Sequence, residues 1–186
     1  GLNHLKEELA KTHNNIHPIN ISFKGNLIFL NQIKKNDIVF NALHGGSGEN
    51  GDIQSIFEVN NITYTGSDSN ASKICMNKHL SKLIASAEGI ATPHWILYKE
   101  KKFSKKKLFN INQEKFSYPY IVKPNNEGST MGLTKVDNNT QIESALSTAL
   151  EFSREIMIEE YILGREITVG ILGNKPLPIV EIFPGK

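Results

Sequence analysis

Residues 37–66 constrain the fold most. Asp37-Ile38-Val39-Phe40-Asn41-Ala42-Leu43 is a compact, mostly apolar run, the composition of a strand buried in a parallel sheet. A loop from His44 to Gly51 follows directly, with glycine at 45, 46, 48 and 51. Asp52 is placed to cap a helix through Val59, with Ile53, Ile56 and Phe57 on one face. Ile62-Thr63-Tyr64-Thr65 reads as a second strand, closed by Gly66. Strand, glycine loop, helix and strand form a βαβ unit, which points to an α/β architecture. In such sheets ligands sit beyond the carboxyl ends of the strands, where the 44–51 loop lies.

A second constraint is Tyr120-Ile121-Val122-Lys123-Pro124-Asn125-Asn126-Glu127-Gly128-Ser129-Thr130-Met131-Gly132. A strand ends in a lysine, and a loop rich in glycine and hydroxyls follows. Glycines let backbone approach a ligand closely, and consecutive amides can form an anion-binding nest. This chemistry suits nucleotide phosphates, although the Lys-Ser/Thr pair of the Walker pattern is absent. Alone, the stretch also reads as a hairpin loop after a strand with a chance lysine.

The rest of the chain divides into short elements. Leu2, Leu5 and Leu9 have helical spacing, and Ile16–Phe23 and Asn26–Leu30 are strand candidates around Gly25-Asn26. Asn77 is placed to cap a helix from Lys78 to about Glu88, with Leu80, Leu83, Ile84 and Ala87 as its apolar stripe and Gly89 as its stop. Thr92-Pro93 forces an extended chain into Trp95–Tyr98, and Leu133–Val136 reads as the hairpin partner of the strand ending at Lys123. Thr140-Gln141-Ile142-Glu143 is a capping box before a helix with Ile142, Ala145, Leu146, Ala149 and Leu150 on one face. Ile156–Ile162 is a strand. Glu166–Ile171 alternates, which predicts one buried face, and Gly173-Asn174 turns the chain into Leu177–Ile182. A change of character near Gly66–Lys78 suggests units at 1–72, 73–155 and 156–186.

Composition narrows the function classes. The 186 residues are 39% hydrophobic and 22% charged, with a net charge of +2. That is ordinary for a globular protein and too little charge to imply nucleic acid or membrane as a partner. The lysines at 99, 101, 102, 105, 106 and 107 read as a solvated loop, because no stacking aromatics are interleaved with them. The single Cys75 excludes an internal disulfide.

Taken in order, these segments resemble the D-alanine–D-alanine ligase family of the ATP-grasp superfamily. His44 to Gly51 is similar to the family's HGxxGEDG loop, Tyr64-Thr65-Gly66 to YTG, and Met76-Asn77-Lys78 to MDK. Gly89-Ile90-Ala91-Thr92-Pro93 is similar to G-[IV]-x-TP. Val122-Lys123-Pro124 with Glu127–Gly132 is similar to VKPxxxGSSxG. Glu159–Glu166 is similar to ExxIxGxE and Pro178–Ile182 to the lPxxEI strand. The resemblance implies an ATP-grasp fold, with a Rossmann-like N-terminal lobe and α+β nucleotide-binding lobes. It also implies phosphorylation of one D-alanine carboxylate by ATP and attack on the acyl phosphate by the amine of a second D-alanine.

By the same resemblance, Lys78 and Lys123 grip phosphates, and Ser129, between Gly128 and Thr130, closes over the transferring group. Glu159 lies on the adenine side, Glu160-Tyr161-Ile162 presents backbone to the adenine edge, and Glu166 takes the ribose hydroxyls. His44 and Glu49 lie near the first D-alanine. Singly, Lys78 also reads as a surface lysine, His44 as a loop histidine, and Glu159 or Glu166 as hairpin surface charge; the shared order moves these readings together.

The implied cofactors are ATP and Mg2+, with the metal ligands expected in family segments not found here. The implied setting is the cytoplasm, peptidoglycan precursor synthesis and a homodimer. Asn50 and Asn77 stand where the family has aspartate, and Thr130 where it has serine. The family's first strand and its later lid and metal ligands have no counterpart here, so these 186 residues alone are expected to lack ligase turnover. The rivals are another ATP-grasp carboxylate–amine ligase or a relative making D-alanyl-D-lactate or D-alanyl-D-serine, an inactive truncated nucleotide-binding fragment, and a purely structural α/β domain.

Overall fold

The computed structural model describes residues 7–8, 10–11, 16–21, 28–99 and 116–183. The helix expected around Leu2, Leu5 and Leu9 and most of the lysine run lie outside these residues. Residues 16–21, expected in a strand, have no regular structure, and Ile28–Gln32 is a short 3-10 helix rather than the end of a strand.

The βαβ unit is present, with short strands. β1 (Ile38–Val39) pairs in parallel with β2 (Thr63–Tyr64), Ile38 opposite Thr63, across α1 (Asp52–Val59). Its core is Phe29, Ile53 and Phe57, with Val39, Leu43 and Tyr64 packed around it. β1 is not the buried strand its composition predicts, since Ile38 is 71% exposed. Asp52 does not cap α1. Its own amide donates to Asn50 Oδ1 at 3.0 Å, so the Asx turn one step earlier starts the helix.

α2 (Ser69–Met76) and α3 (Lys78–Ala87) follow almost without a break. Asn77 caps α3 as expected, its Oδ1 accepting from Leu80 N at 3.0 Å. The predicted apolar stripe of α3 is not buried, however: Leu80, Leu83 and Ile84 are all exposed. Helical spacing reports one face of a helix, not whether anything covers it.

The central sheet has the order β3-β6-β4-β5 and is antiparallel throughout. Its strands are β3 (Trp95–Lys99), β4 (Tyr120–Pro124), β5 (Thr134–Val136) and β6 (Glu155–Glu160). β6 thus lies between strands from the 73–155 segment. α4 (Ile142–Phe152) covers one face with Ile142, Ala145, Leu146 and Ala149, spaced i, i+3, i+4 and i+7. They pack on Tyr98, Tyr120, Val122, Val136, Ile156 and Ile158. The capping box at 140–143 does not form. Asn138 Oδ1 accepts from Thr140 N at 3.1 Å, and residues 139–141 form a 3-10 turn ahead of α4.

The last strands form small hairpins. β7 (Glu166–Thr168) pairs with β10 (Val180–Ile182), and β8 (Ile171–Leu172) with β9 (Lys175–Pro176) around Gly173-Asn174. The alternation at 166–171 predicts a buried face, but every residue of β7 and β8 is exposed.

Candidate functional site: a lysine cleft beside the central sheet

Strand register decides which side chains share the free face of the sheet. Residues directly opposite on paired strands project to the same side, and alternate residues project to opposite sides. Tyr120 and Val122 of β4 face α4, so Ile121 and Lys123 face away from it. Lys123 pairs with Met157, Ile121 with Glu159, and Glu159 with Trp95. The face opposite α4 therefore carries Trp95, Lys123 and Glu159 together. Lys123 Nζ forms a short ion pair with Glu159 Oε1, while Lys82 Nζ of α3 sits 3.0 Å from Glu159 Oε2.

The N-terminus of α3 brings in the second expected lysine. Asn125, fully buried just after β4, is the clamp. Its Oδ1 accepts from His79 N at 2.9 Å, and its Nδ2 donates to Asn77 Oδ1 at 3.0 Å and Glu155 Oε2 at 3.1 Å. Its backbone oxygen accepts from Lys78 N at 3.1 Å. Lys78 Nζ in turn donates to Glu127 O. Burial, and then the nearby Lys123 ammonium, holds the Lys78 ammonium below the usual lysine range. Two cations held close in a partly desolvated place attract an anion.

The glycine loop closes the same region. Met131 N donates to Gly128 O at 3.1 Å, and Ser129 (φ 51°) and Thr130 (φ 62°) between them both lie in the left-handed region. That is the geometry of a type I′ turn, normally given to Asn-Gly. A β-branched residue held at positive φ costs of order 1–3 kcal/mol, a cost that clusters at ligand-binding loops. Ser129 and Thr130 are both exposed at this turn.

A cleft of about 500 Å³ is lined by Lys78, Lys123, Glu127, Gly128, Ser129 and Thr130, together with Glu49, Cys75 and Met76. Glu49 comes from the 44–51 loop. That loop is pinned at Gly48 O, which accepts from Asn41 Nδ2 at 3.1 Å and Gln54 Nε2 at 3.0 Å. A side chain at Gly48 would put its Cβ 2.5 Å from Leu43 Cβ.

Of the residues expected at the site, Glu49, Lys78, Lys123, Gly128, Ser129 and Thr130 line one cleft, and Glu159 joins it through Lys123. His44 is not drawn in. Its ring is 92% exposed and approaches Glu49 at 3.8 Å. Glu160 and Ile162 are exposed, and Tyr161 lies under Lys135 Nζ at 4.9 Å. Glu166 is exposed on β7, opposite Ile182 and away from the cleft lining.

Sequence reasoning missed Lys82 and Asn125. Lys82 lies one helical turn after Lys78, a spacing that places both on one face of α3. Asn125 reads as loop polarity until its buried partners are known. Among the described residues no cluster of three or more His, Cys, Asp or Glu side chains could hold a metal, and no helix is long and apolar enough to cross a membrane.

Comparison with known proteins shows the family. The D-ala D-ala ligase N-terminus family matches residues 4–67 and the D-ala D-ala ligase C-terminus family matches residues 84–184. D-alanine–D-alanine ligase A of Bacillus cereus is 40% identical over 181 residues, 97% of this chain and 58% of its own length. The ligase of Aquifex aeolicus is 41% identical over 152 residues, 82% of this chain and 50% of its own. The crystal structure of the Bacillus anthracis ligase superposes with a TM-score of 0.79 at 36% identity, covering 95% of this chain and 57% of that one. The same enzyme complexed with ATP gives 0.75 at 36% identity, covering 89% and 54%. The chain thus spans 50–58% of the length of these relatives. It belongs to the D-alanine–D-alanine ligase family and has the ATP-grasp fold.

Proposed function

We propose that this chain forms the nucleotide-gripping part of an ATP-dependent D-alanine–D-alanine ligase. The observation that carries the reading is the convergence of Lys78, Lys123 and the positive-φ loop Gly128–Thr130 on one cleft. Phosphoryl transfer needs cations and fixed donors around the moving charge. Lys78 and Lys123 would hold the phosphates, and Ser129 with its neighbours would cover the transferring group. Glu159 would accept from adenine, Glu160–Ile162 would present backbone to its edge, and Glu166 would take the ribose. Glu49, with His44, would approach the first D-alanine. A magnesium ion would neutralise phosphate charge, and the whole protein would act as a cytoplasmic homodimer supplying peptidoglycan precursor. A relative crystallised with ATP supports the nucleotide assignment.

The test is phosphate release from Mg-ATP by the whole protein with D-alanine, and with L-alanine as control. Release that depends on D-alanine is the expected result. Equal release with either isomer would overturn the substrate assignment.

A further inference from the structure

Glu159 is held by two lysines of different kinds. Lys123 lines the cleft and is repelled by Lys78. Lys82 does not line the cleft. Its Nζ donates to Thr92 Oγ1 at 2.6 Å and Pro93 O at 3.0 Å, approaches Glu159 Oε2 at 3.0 Å, and lies 5.1 Å from the Trp95 ring centroid. Trp95 is itself fixed, its Nε1 donating to His79 Nδ1 at 2.9 Å. The Lys82 side chain is 12% exposed and that of Glu159 11%. Lys82 is thus anchored on protein oxygens outside the cleft, whereas Lys123, paired with Glu159 Oε1, also borders the cleft.

We propose that Lys82 is the positioning residue that keeps the Glu159 carboxylate aimed when a nucleotide draws Lys123 away. This rests on the nucleotide reading above. In the resting arrangement both carboxylate oxygens face ammonium groups. When phosphates take Lys123, Oε1 is released while Lys82 still holds Oε2. An ionised carboxylate can only accept hydrogen bonds. It accepts from the 6-amino group of adenine and repels the 6-oxo group of hypoxanthine. Lys82 therefore sets purine selectivity without touching the nucleotide. Without it, Lys123 is the sole counter-ion and is shared between Glu159 and phosphate, so the carboxylate loses its fixed aim at the 6-amino group.

The test is calorimetric titration of wild type, Lys82→Met and Lys82→Arg with ATP and with ITP. Wild type should prefer ATP. K82M should lower the ATP-over-ITP ratio by about tenfold, the worth of one charge-assisted hydrogen bond. K82R, which keeps the charge, should retain most of the preference. An unchanged ratio in K82M, or an equal loss for both nucleotides, would overturn the proposal, the latter marking Lys82 as structural only. No ATP preference in wild type would also overturn it. Failure of wild type to bind either nucleotide would sink the underlying nucleotide reading, a result separable from all of these. If K82M does not fold, loss of the preference in a folded K82R still counts against the proposal.

Discussion

Lys78 shows how the surroundings of a single residue shift its hold on a proton. Burial and Lys123 depress its affinity for protons, while Glu127 and Glu159 oppose that only in part. The sign follows from linkage. The folded chain binds Lys78's proton less tightly than the unfolded chain, so charged Lys78 costs stability below its folded pKa. That cost fades as pH rises from the folded pKa to the ordinary lysine value. A bound phosphate reverses the depression. ATP affinity should therefore fall as pH rises through the depressed Lys78 value, and binding near that pH should take up protons. Calorimetry in buffers of different ionisation enthalpy reads this directly, and Lys78→Met should abolish the proton uptake. Asn125 gives a second residue-scale prediction. Asn125→Ala strands His79 N and Asn77 without their buried partner, and urea denaturation should show a loss of about 2–3 kcal/mol.

Elements here are joined at points where backbone leaves no room. Gly132 closes the glycine loop after β4 with φ 69°, and a Cβ there would lie 2.7 Å from Phe152 Cδ2 and 2.8 Å from Pro124 Cγ. Gly132→Ala should cost about 1–3 kcal/mol in denaturant unfolding, from strain and overpacking together. The loss should appear at the junction of β4 and α4, visible as earlier hydrogen exchange at Val122. In the βαβ unit, Glu58 of α1 accepts from Tyr64 Oη at 2.8 Å and from Ser69 N and Oγ at 2.8 and 2.6 Å. Those donors lower the Glu58 pKa, while burial and the Glu58 hydrogen bond push Tyr64 up to about 12. The contribution of Glu58 to stability is present above the ordinary glutamate value and is lost as pH falls through its lowered one. A Glu58→Gln variant should flatten the acid limb of the pH–stability curve measured by thermal melting.

For the whole molecule, the sheet serves two purposes with its two faces. α4 buries one, and the other carries the charged residues of the cleft. Sequence was informative wherever a side chain has to fit a local pattern. The α4 face at 142, 145, 146 and 149 could be read from spacing, and Lys123 and the 128–132 loop from residue type. It was silent wherever a partner lies far away in the chain. The α3 stripe could not announce that it lies open, nor the alternation at 166–171 that its strands are exposed. The Asx turn at Asn50 displaced the expected Asp52 cap, because both residue types start helices. Lys82 was overlooked because its ion pair with Glu159 joins residues 77 positions apart. The central claim is that Lys78 and Lys123 together form a phosphate-binding site in one cleft. Its most direct test is an ATP titration of the chain and of Lys123→Met, followed by calorimetry. Saturable binding weakened about tenfold or more in K123M, as expected for a lost charge-assisted contact to phosphate, is the predicted result. Equal affinity in the two proteins would contradict the account.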